Sequence, residues 1–359
     1  MDFSIIIPCF NEGKNVITIT ERITTALAHT TATYEILFVD DSKDDTTKLL
    51  EKLSYTFQYV RYVHRTNARG LGTAVVEGFK RALGKQFIVM DADLQHPPEI
   101  LPELMQLLSK HDIVIPSRFI PGGSDGGLNA FRKFVSWTAR KIGQFGIKRF
   151  RSISDCTSGF FGLKRDVIRN VTLNPDSWKI LMEILVKGHY KSVAEIPYQF
   201  VARDLGNSKM NTKEQLHYLR HVLKLICASP DDRRFYLFCF VGVLGLFVNL
   251  SLFRILVFSG LHPLAASIFA SLIAMMHNFL WHDNLTWKER KHAVLPNRLL
   301  QLPKFILISC IGIFITAGMV KCFMDLHLNI SLGQLIGITV ATGWNYFANK
   351  TWTWQCKQI

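Results

Sequence analysis

Four apolar stretches of about twenty residues each occupy the last third of the chain. They lie at about 235–258, 263–282, 303–324 and 332–350. About twenty apolar residues in a helix are long enough to cross the hydrocarbon core of a bilayer. The sequence therefore predicts four transmembrane helices within residues 235–359.

The charges between these stretches predict their orientation. The connection from Lys288 to Lys304 carries five Lys or Arg residues, whereas the linkers at 259–262 and 326–329 carry none. Cytoplasmic loops of membrane proteins are enriched in Lys and Arg. We therefore expect a multi-pass protein in which the 288–304 connection and both termini are cytoplasmic.

The membrane half contains an internal repeat. Residues 278–287 align with residues 345–354, and both segments begin with Asn and end with a Trp. Each segment ends an apolar stretch on the predicted cytoplasmic side, where Trp side chains commonly anchor helices at the interface. The repeat predicts two helical hairpins in the same orientation.

An amphipathic segment precedes the membrane half. Between 213 and 229, four apolar residues share one helical face and basic residues lie beside it, and the charged segment 231–234 reads as a hinge. This pattern suits a helix at a membrane surface. We divide the chain into a domain at 1–212, an interface segment at 213–234 and a membrane domain at 235–359.

Strand-like and helix-like patterns alternate in residues 1–212. Such alternation predicts parallel βαβ units, and hence an α/β fold with a mostly parallel sheet. The first residues lack the basic segment of a signal peptide, so we expect this domain to remain cytoplasmic. The seven cysteines show no paired metal-binding spacing, and their odd number favours reduced thiols.

Two carboxylates follow one buried strand of this domain. An apolar run at 87–90 leads into Asp91 and Asp93, with Gln95 two residues further on. Ligands in α/β sheets bind beyond the carboxyl ends of the strands. Oxygen donors at this spacing suit Mg²⁺ or Mn²⁺, which leave coordination positions for phosphate groups. We expect a metal site formed by Asp91, Asp93 and Gln95.

The segment 89–99 as a whole resembles the inverting, family-two glycosyltransferases, and within them the polyprenyl-phosphate (dolichol-phosphate type) mannosyl and glucosyl transferases. The membrane half resembles the small GtrA-like membrane domain. The resemblance implies a GT-A fold, with helices on both faces of the sheet, that uses a nucleotide-diphosphate sugar.

The resemblance also implies roles for individual residues. The segments 8–12 and 40–46 resemble family motifs that line the nucleotide site, although Phe10 replaces the usual Tyr and Lys43 departs from the pattern. The loop 203–210 resembles the Arg-x-x-Gly-x-Ser-Lys loop of the lipid-phosphate transferases. The implied nucleotide-sugar site comprises Pro8, Phe10, Glu12, Asp40, Asp41, Asp91, Ala92, Asp93, Gln95, Arg118, Arg203 and Lys209, with Asp91, Asp93, Arg118 and Arg203 catalytic.

The implied acceptor site is basic. Matching positions in relatives assign Arg118, Arg132 and Ser136 to the lipid phosphate, and Arg132 and Ser136 lie four apart on one helical face. The helix predicted at 128–150 is amphipathic and basic, so it suits either the membrane surface or packing on the domain. A phosphate acceptor is already ionised at neutral pH, so no catalytic base is needed.

The resemblance implies transfer of mannose from GDP-mannose to dolichyl or undecaprenyl phosphate, because relatives with the loop pattern of 203–210 include users of GDP-mannose. UDP-glucose is the alternative donor. A processive polysaccharide synthase is disfavoured because the Gln-x-x-Arg-Trp motif is missing from the sequence. A lipid-sugar flippase or binding protein with an inactive transferase half is disfavoured by the intact Asp91 and Asp93. The net charge of +14 is not attributed to nucleic-acid binding, because the cations cluster around the predicted membrane plane.

Overall fold

The computed structural model describes residues 1–66, 70–126, 130–175, 179–200, 212–288 and 301–355. The chain divides into two compact units, Met1–Ser229 and Pro230–Ile359.

The first unit is built on a sheet of seven described strands. They are β1 (Phe3–Cys9), β2 (Tyr34–Asp40), β3 (Val60–His64), β4 (Gln86–Val89), β5 (Ile113–Ser117), β6 (Phe161–Lys164) and β7 (Val193–Pro197). Their order across the sheet is β3-β2-β1-β4-β6-β5-β7. All neighbouring strands are parallel except β6, which is antiparallel to β4 and β5. The predicted α/β fold with a mostly parallel sheet is confirmed.

Helices follow most of these strands. The described helices of the first unit are α1 (Gly13–Ala26), α2 (Thr46–Thr56), α3 (Leu71–Arg81), α4 (Leu101–Lys110), α5 (Ala130–Gly146), α6 (Ile180–Lys187) and α7 (Thr212–Ala228). The helix predicted at 128–150 corresponds to α5 and a short 3₁₀ turn, Lys148–Phe150. The amphipathic helix predicted from 213 corresponds to α7.

Both faces of the sheet are buried, as a mostly parallel sheet between helices requires. Along β1, Ile5 and Ile7 join one apolar layer with residues of α1 and α4. Ile6, which points the other way, joins a second layer with residues of α3 and α6. The strands are nearly continuous apolar runs, and the polar residues of the site follow where the strands end.

The register brings three strand ends to one edge. Cys9 of β1 lies opposite Asp40 of β2, and Ile6 lies opposite Val89 of β4. The residues that follow these strands therefore share the carboxyl edge of the sheet.

The described part of the second unit contains four long helices: α8 (Pro230–Phe258), α9 (Pro263–Trp281), α10 (Gln301–Asp325) and α11 (Ile330–Ala348). Among the described residues, α8 satisfies a strict criterion of length and apolarity for a membrane span, with a mean hydropathy of 2.2, and Gln301–Ile315 is a shorter apolar stretch. The number of spans stays a prediction. The segment 231–234, expected to be a hinge, lies in the first turn of α8, and the break in the helix falls at Ser229.

The internal repeat is visible in the packing of the second unit. Helices α9 and α11 each continue into a π-helical turn, His282–Thr286 and Asn349–Thr353. The expectation that the final Trp residues anchor at the interface is wrong: Trp287 and Trp354 are fully buried and stacked, with ring centroids 5.7 Å apart. They bury each other because the two turns present equivalent positions to a common core.

Candidate active site

A tight turn follows β4 at the carboxyl edge of the sheet. The carboxylate of Asp93 accepts the backbone N–H of Gln95 at 3.1 Å. Leu94 has a φ of 62°, in the left-handed region that non-glycine residues rarely adopt. The turn carries the three predicted metal-binding side chains, Asp91, Asp93 and Gln95, within five residues.

Gly159 lies against the carboxylate of Asp91. It precedes β6, whose antiparallel pairing with β4 runs Phe161 back alongside Val89. A Cβ atom at position 159 would lie only 3.0 Å from Oδ2 of Asp91. A side chain here would crowd the carboxylate, so the glycine keeps one side of Asp91 open.

The side chain of His96 bonds back to the start of this turn. Its Nδ1 accepts the backbone N–H of Asp91 at 3.0 Å, and only 4% of the residue is exposed. Burial lowers the pKa of His96 to about 4, with smaller opposing effects from Asp93 and Asp155. The ring is therefore neutral near pH 7, and the 3.6 Å approach of Nδ1 to the Asp91 carboxylate is not an ion pair. No role at the site was predicted for His96 from the sequence.

Two further acids lie at the end of β2, where the nucleotide site was predicted. Oδ2 of Asp40 accepts from Thr47 Oγ1 at 2.6 Å and lies 2.8 Å from His64 Nδ1. Oδ1 of Asp40 accepts the N–H of Ser42 at 3.0 Å. Burial raises the pKa of Asp40, but the hydrogen bonds from Ser42, Thr47 and His64 outweigh it and leave that pKa below its ordinary value.

Asp41 is held in a two-point contact with Arg65. Arg65 Nε donates to Oδ1 at 2.7 Å and Nη2 donates to Oδ2 at 2.5 Å, and both side chains are 8% exposed. Arg65 also donates to Thr73 Oγ1, at the start of α3. Arg65 was not predicted; its partner lies 24 residues away in sequence, so only the parallel pairing of β2 and β3 brings the two together.

The remaining predicted nucleotide-site residues lie near this edge or at the turn. Pro8 lies in β1 opposite Val39, and the ring of Phe10, just beyond the strand, is 46% exposed. Glu12 precedes α1 and accepts from Asn15 at 2.6 Å. Ala92 is 3% exposed. Phe10 is the exposed ring of this group, so it can contact a bound ligand.

Arg118 follows β5 and is enclosed by protein groups. Its Nε and Nη2 donate to Oδ2 of Asp155 at 3.0 and 2.9 Å. Its guanidinium carbon lies 5.1 Å from the ring centroid of Phe119 and 5.2 Å from that of Phe200. Burial lowers the pKa of Arg118, but the carboxylate of Asp155 outweighs this effect, and the pKa lies above its ordinary value. Arg118 is therefore charged and fixed in orientation.

A lysine and a second arginine lie near Arg118 and Asp155. Burial lowers the pKa of Lys179 to about 8, despite the raising effects of Cys156 and Asp155. Arg140 also lies over the ring of Phe119, with its guanidinium carbon 3.8 Å from the ring centroid. Neither residue stands in a recognisable motif, so no individual role was predicted for either from the sequence.

The other predicted acceptor and loop residues cannot be placed in this site. Arg203 and Lys209 lie outside the described residues. The backbone of Arg132 and Ser136 belongs to α5, but their side chains are not among those described. Within the described ranges, no group of three or more His, Cys, Asp and Glu side chains forms a metal-binding cluster.

Comparison with known families agrees with the two units. Residues 4–172 match the family model "Glycosyl transferase family 2", and residues 237–354 match "GtrA/DPMS, transmembrane domain". The resemblance to these two families, read from motifs, is confirmed.

Individual relatives cover either the whole chain or its first part. A dolichol-phosphate mannosyltransferase of Pyrococcus furiosus is 37% identical over 99% of both chains. A dolichol-phosphate mannosyltransferase of Saccharomyces cerevisiae is 34% identical over 63% of this chain and 87% of its own length.

Among solved structures, glucosyl-3-phosphoglycerate synthase from Mycobacterium tuberculosis, in a complex with Mn²⁺, UDP-glucose and phosphoglyceric acid, has a TM-score of 0.48 at 15% identity. The match covers 63% of this chain and 79% of that one. The full-length similarity decides the assignment: the chain belongs to the dolichol-phosphate mannosyltransferases of glycosyltransferase family 2, and its second unit, a GtrA/DPMS transmembrane domain, makes it a membrane protein.

Proposed function

We propose that this glycosyltransferase moves mannose from GDP-mannose to a polyprenyl phosphate, dolichyl or undecaprenyl, with inversion at the anomeric carbon. The observation that carries the proposal is the 37% identity to a dolichol-phosphate mannosyltransferase over 99% of both chains. In this proposal the nucleotide-sugar donor binds at the turn that carries Asp91 and Asp93, at the carboxyl edge of the sheet.

The donor side suits a divalent cation. Asp91 and Asp93 offer two carboxylates and Gln95 an amide oxygen, and Mg²⁺ or Mn²⁺ usually takes one or two carboxylates together with substrate phosphates. The side chain of Asp91 is 29% exposed, and Gly159 leaves space beside it. A bound cation would neutralise charge on the departing nucleoside diphosphate. Asp91 and Asp93 would hold that cation against the diphosphate.

The nucleoside end of the donor would lie near Phe10, Asp40 and Asp41. The exposed ring of Phe10 can cover a base or ribose. Asp40 is fully buried and already accepts hydrogen bonds on both oxygens. Asp41 also accepts hydrogen bonds on both oxygens, from Arg65, but it is 9% exposed, so it is the more accessible of the two acids to a ligand.

The acceptor phosphate needs cations rather than a base. An ionised phosphate oxygen attacks the anomeric carbon, the new oxygen–carbon bond forms, and the bond from that carbon to the nucleoside diphosphate breaks. No proton has to be removed. Because Asp155 balances the charge of Arg118, the attraction for the phosphate would also require Arg132, Arg203 and Lys209, with Ser136 donating a hydrogen bond.

The acceptor is a membrane lipid, and the first unit carries a surface suited to one. Apolar side chains of α5 and α7 are exposed, with cations on the same helices. The exposed apolar residues are Trp137, Ile142, Phe145, Leu219 and Leu223. Such a surface binds at the interface of a bilayer. We place the first unit and both termini in the cytoplasm, where nucleotide sugars are available; a reporter protein fused after residue 359 would be periplasmic or luminal if this orientation is wrong.

The test is a donor panel assayed with the full-length protein, a polyprenyl phosphate and either Mg²⁺ or Mn²⁺. We expect a mannosyl-phosphate lipid from GDP-mannose and little product from other GDP- or UDP-sugars. Product formation should stop when a chelator is added and resume when the cation is restored. A glucosyl lipid from UDP-glucose would overturn the donor assignment, and full activity in chelator would overturn the metal role.

A further inference from the structure

The end of β4 is held by a side chain rather than by the sheet. Met90 makes the last backbone bond of this strand to β1, donating to the carbonyl of Ile6 at 3.2 Å. The next N–H, of Asp91, donates instead to Nδ1 of His96 at 3.0 Å. The direction in which Asp91 leaves the strand therefore depends on His96.

The turn that follows is strained, so it needs such a restraint. The left-handed conformation of Leu94, at φ 62°, costs roughly 1–2 kcal/mol for a residue with a Cβ atom. Two hydrogen bonds oppose its relaxation: the one from Gln95 to the Asp93 carboxylate and the one from Asp91 to His96. Of these two hydrogen bonds, only the one from Asp91 to His96 uses a residue that is not itself proposed to bind the metal.

The His96 ring is itself held in place by three aromatic rings. It stacks on Phe160, with centroids 5.1 Å apart and 26° between the planes. Tyr198 and Phe200 meet it edge-on at 6.1 and 6.3 Å. Phe160 and Tyr198 also contact each other, at 5.9 Å. This packing holds the plane of the ring, and the hydrogen bond from the Asp91 N–H places Nδ1 on the side that faces the turn.

We propose that His96 is a positioning residue for the cation site: its Nδ1 fixes the backbone at Asp91, and thereby aims the Asp91 carboxylate at the cation. This inference rests on the proposed function, because it presumes a divalent cation between Asp91 and Asp93. His96 does not touch the cation; it acts through the N–H of Asp91. Residues that orient metal ligands typically change metal affinity by 10–100-fold when they are replaced.

Two substitutions separate the hydrogen bond from the packing. His96→Phe keeps an aromatic ring among Phe160, Tyr198 and Phe200 but has no acceptor for the Asp91 N–H. His96→Asn loses the ring but places an acceptor oxygen near the position of Nδ1. If His96 acts through its hydrogen bond, the asparagine variant is the more active of the two, although it packs less well.

The experiment measures Mn²⁺ binding to the full-length protein in detergent with GDP present, from the electron paramagnetic resonance signal of free Mn²⁺. We expect His96→Phe to weaken binding at least about tenfold, and His96→Asn to stay within about threefold of wild type. Thermal unfolding of both variants is followed in parallel, so that a folding defect is recognised.

The outcomes distinguish this inference from the proposed function. Mn²⁺ binding by wild type and by a folded His96→Phe variant with equal affinity would overturn the role of His96. Weaker Mn²⁺ binding by a folded asparagine variant than by a folded phenylalanine variant would assign the effect to packing and also overturn it. Failure of the wild-type protein to bind Mn²⁺ would refute the proposed metal role, and the inference with it.

Discussion

Arg118 directs two hydrogen bonds, from Nε and Nη2, onto the same oxygen of Asp155, at 3.0 and 2.9 Å. The other oxygen of Asp155 accepts from Thr157 Oγ1 at 3.2 Å. Asp155 is fully buried and the Arg118 side chain is 14% exposed. Both partners are therefore largely removed from water, and the orientation of the guanidinium group is set before any ligand binds.

We predict that Asp155→Asn destabilises the protein by about 3 kcal/mol, because it leaves a buried guanidinium without its counter-charge. It should also weaken use of the lipid phosphate, since Arg118 can then turn away from the site. The measurements are thermal unfolding and the KM for polyprenyl phosphate.

The matched control removes both charges together. Replacing a buried ion pair by apolar residues is often neutral for stability, so an Arg118→Met, Asp155→Leu double variant should unfold closer to wild type than Asp155→Asn does. It should still be inactive. Wild-type transfer by this double variant would contradict the proposed role of Arg118.

A second prediction concerns Gly159, where a Cβ atom would lie 3.0 Å from the Asp91 carboxylate. Metal–ligand distances in proteins fall within about 0.2 Å of their standard values. We expect Gly159→Ala to displace that carboxylate and to raise the Mn²⁺ concentration needed for half-maximal activity about tenfold, with little change in the unfolding temperature.

Gly13→Ala is the matched control, because the nearest atoms to its new Cβ would be 3.9 and 4.0 Å away, at ordinary contact distances. Its requirement for Mn²⁺ should equal that of wild type. If Gly159→Ala shows the same requirement, Asp91 does not need the open space that the glycine provides.

The sequence was sufficient to locate the carboxyl edge of the sheet, where the nucleotide-sugar donor is proposed to bind. Asp91 and Asp93 follow an apolar run of strand length, and the end of such a run in an α/β domain marks the carboxyl edge. The strand order was not readable in the same way. Strand β6 runs antiparallel between β4 and β5, and no local pattern states which strands it pairs with.

The hydrogen-bond partners of the predicted residues could not be identified from the sequence either, because they lie far away in the chain or carry no motif. Asp155 lies 37 residues after Arg118, and His96 gives no sign in sequence that its ring nitrogen accepts from the backbone of Asp91. The two final Trp residues of the repeat illustrate the same limit. Each was assigned to the interface from its position after an apolar stretch, whereas the packing of the two turns buries both.

A third prediction follows from the lowered pKa of Asp40. The pKa of Asp40 is lower in the folded than in the unfolded state. Ionised Asp40 therefore stabilises the fold at pH values above the unfolded-state pKa, which is near 4. That contribution is lost as the pH falls below about 4 towards the folded-state pKa. We expect Asp40→Asn to be less stable than wild type at pH 7, by an amount that shrinks as the pH falls through this window.

The measurement is the unfolding temperature between pH 7 and pH 3. Asp166→Asn serves as control because that carboxylate is 74% exposed; its difference from wild type should stay small throughout. A gap between Asp40→Asn and wild type that persists undiminished at pH 3 would show that Asp40 is not the group losing its charge.

The last prediction concerns the exposed surface formed by α5 and α7. The two helices pack closely: the hydroxyl of Tyr218 donates to the carbonyl of Ala139, and a Cβ at Gly146 would lie 3.3 Å from Ile226. The opposite sides of this pair leave Phe145 77% exposed and Leu223 62% exposed. Burying one such side chain in an apolar environment is worth about 1.5–3 kcal/mol.

If this surface lies in the bilayer interface, Phe145→Asp should raise the apparent KM for bilayer-embedded polyprenyl phosphate about three- to tenfold, because a carboxylate replaces an apolar ring in contact with lipid. Its KM for a short-chain, water-soluble acceptor and its unfolding temperature should not change, since 77% of the residue is already exposed. Tyr55→Asp is the control: Tyr55 is 83% exposed, on α2 rather than on this surface, so its replacement should leave both KM values at the wild-type level. An equal rise for both acceptors in Phe145→Asp would mean that Phe145 serves the active site itself, and unchanged use of the embedded lipid would remove this surface from contact with the membrane.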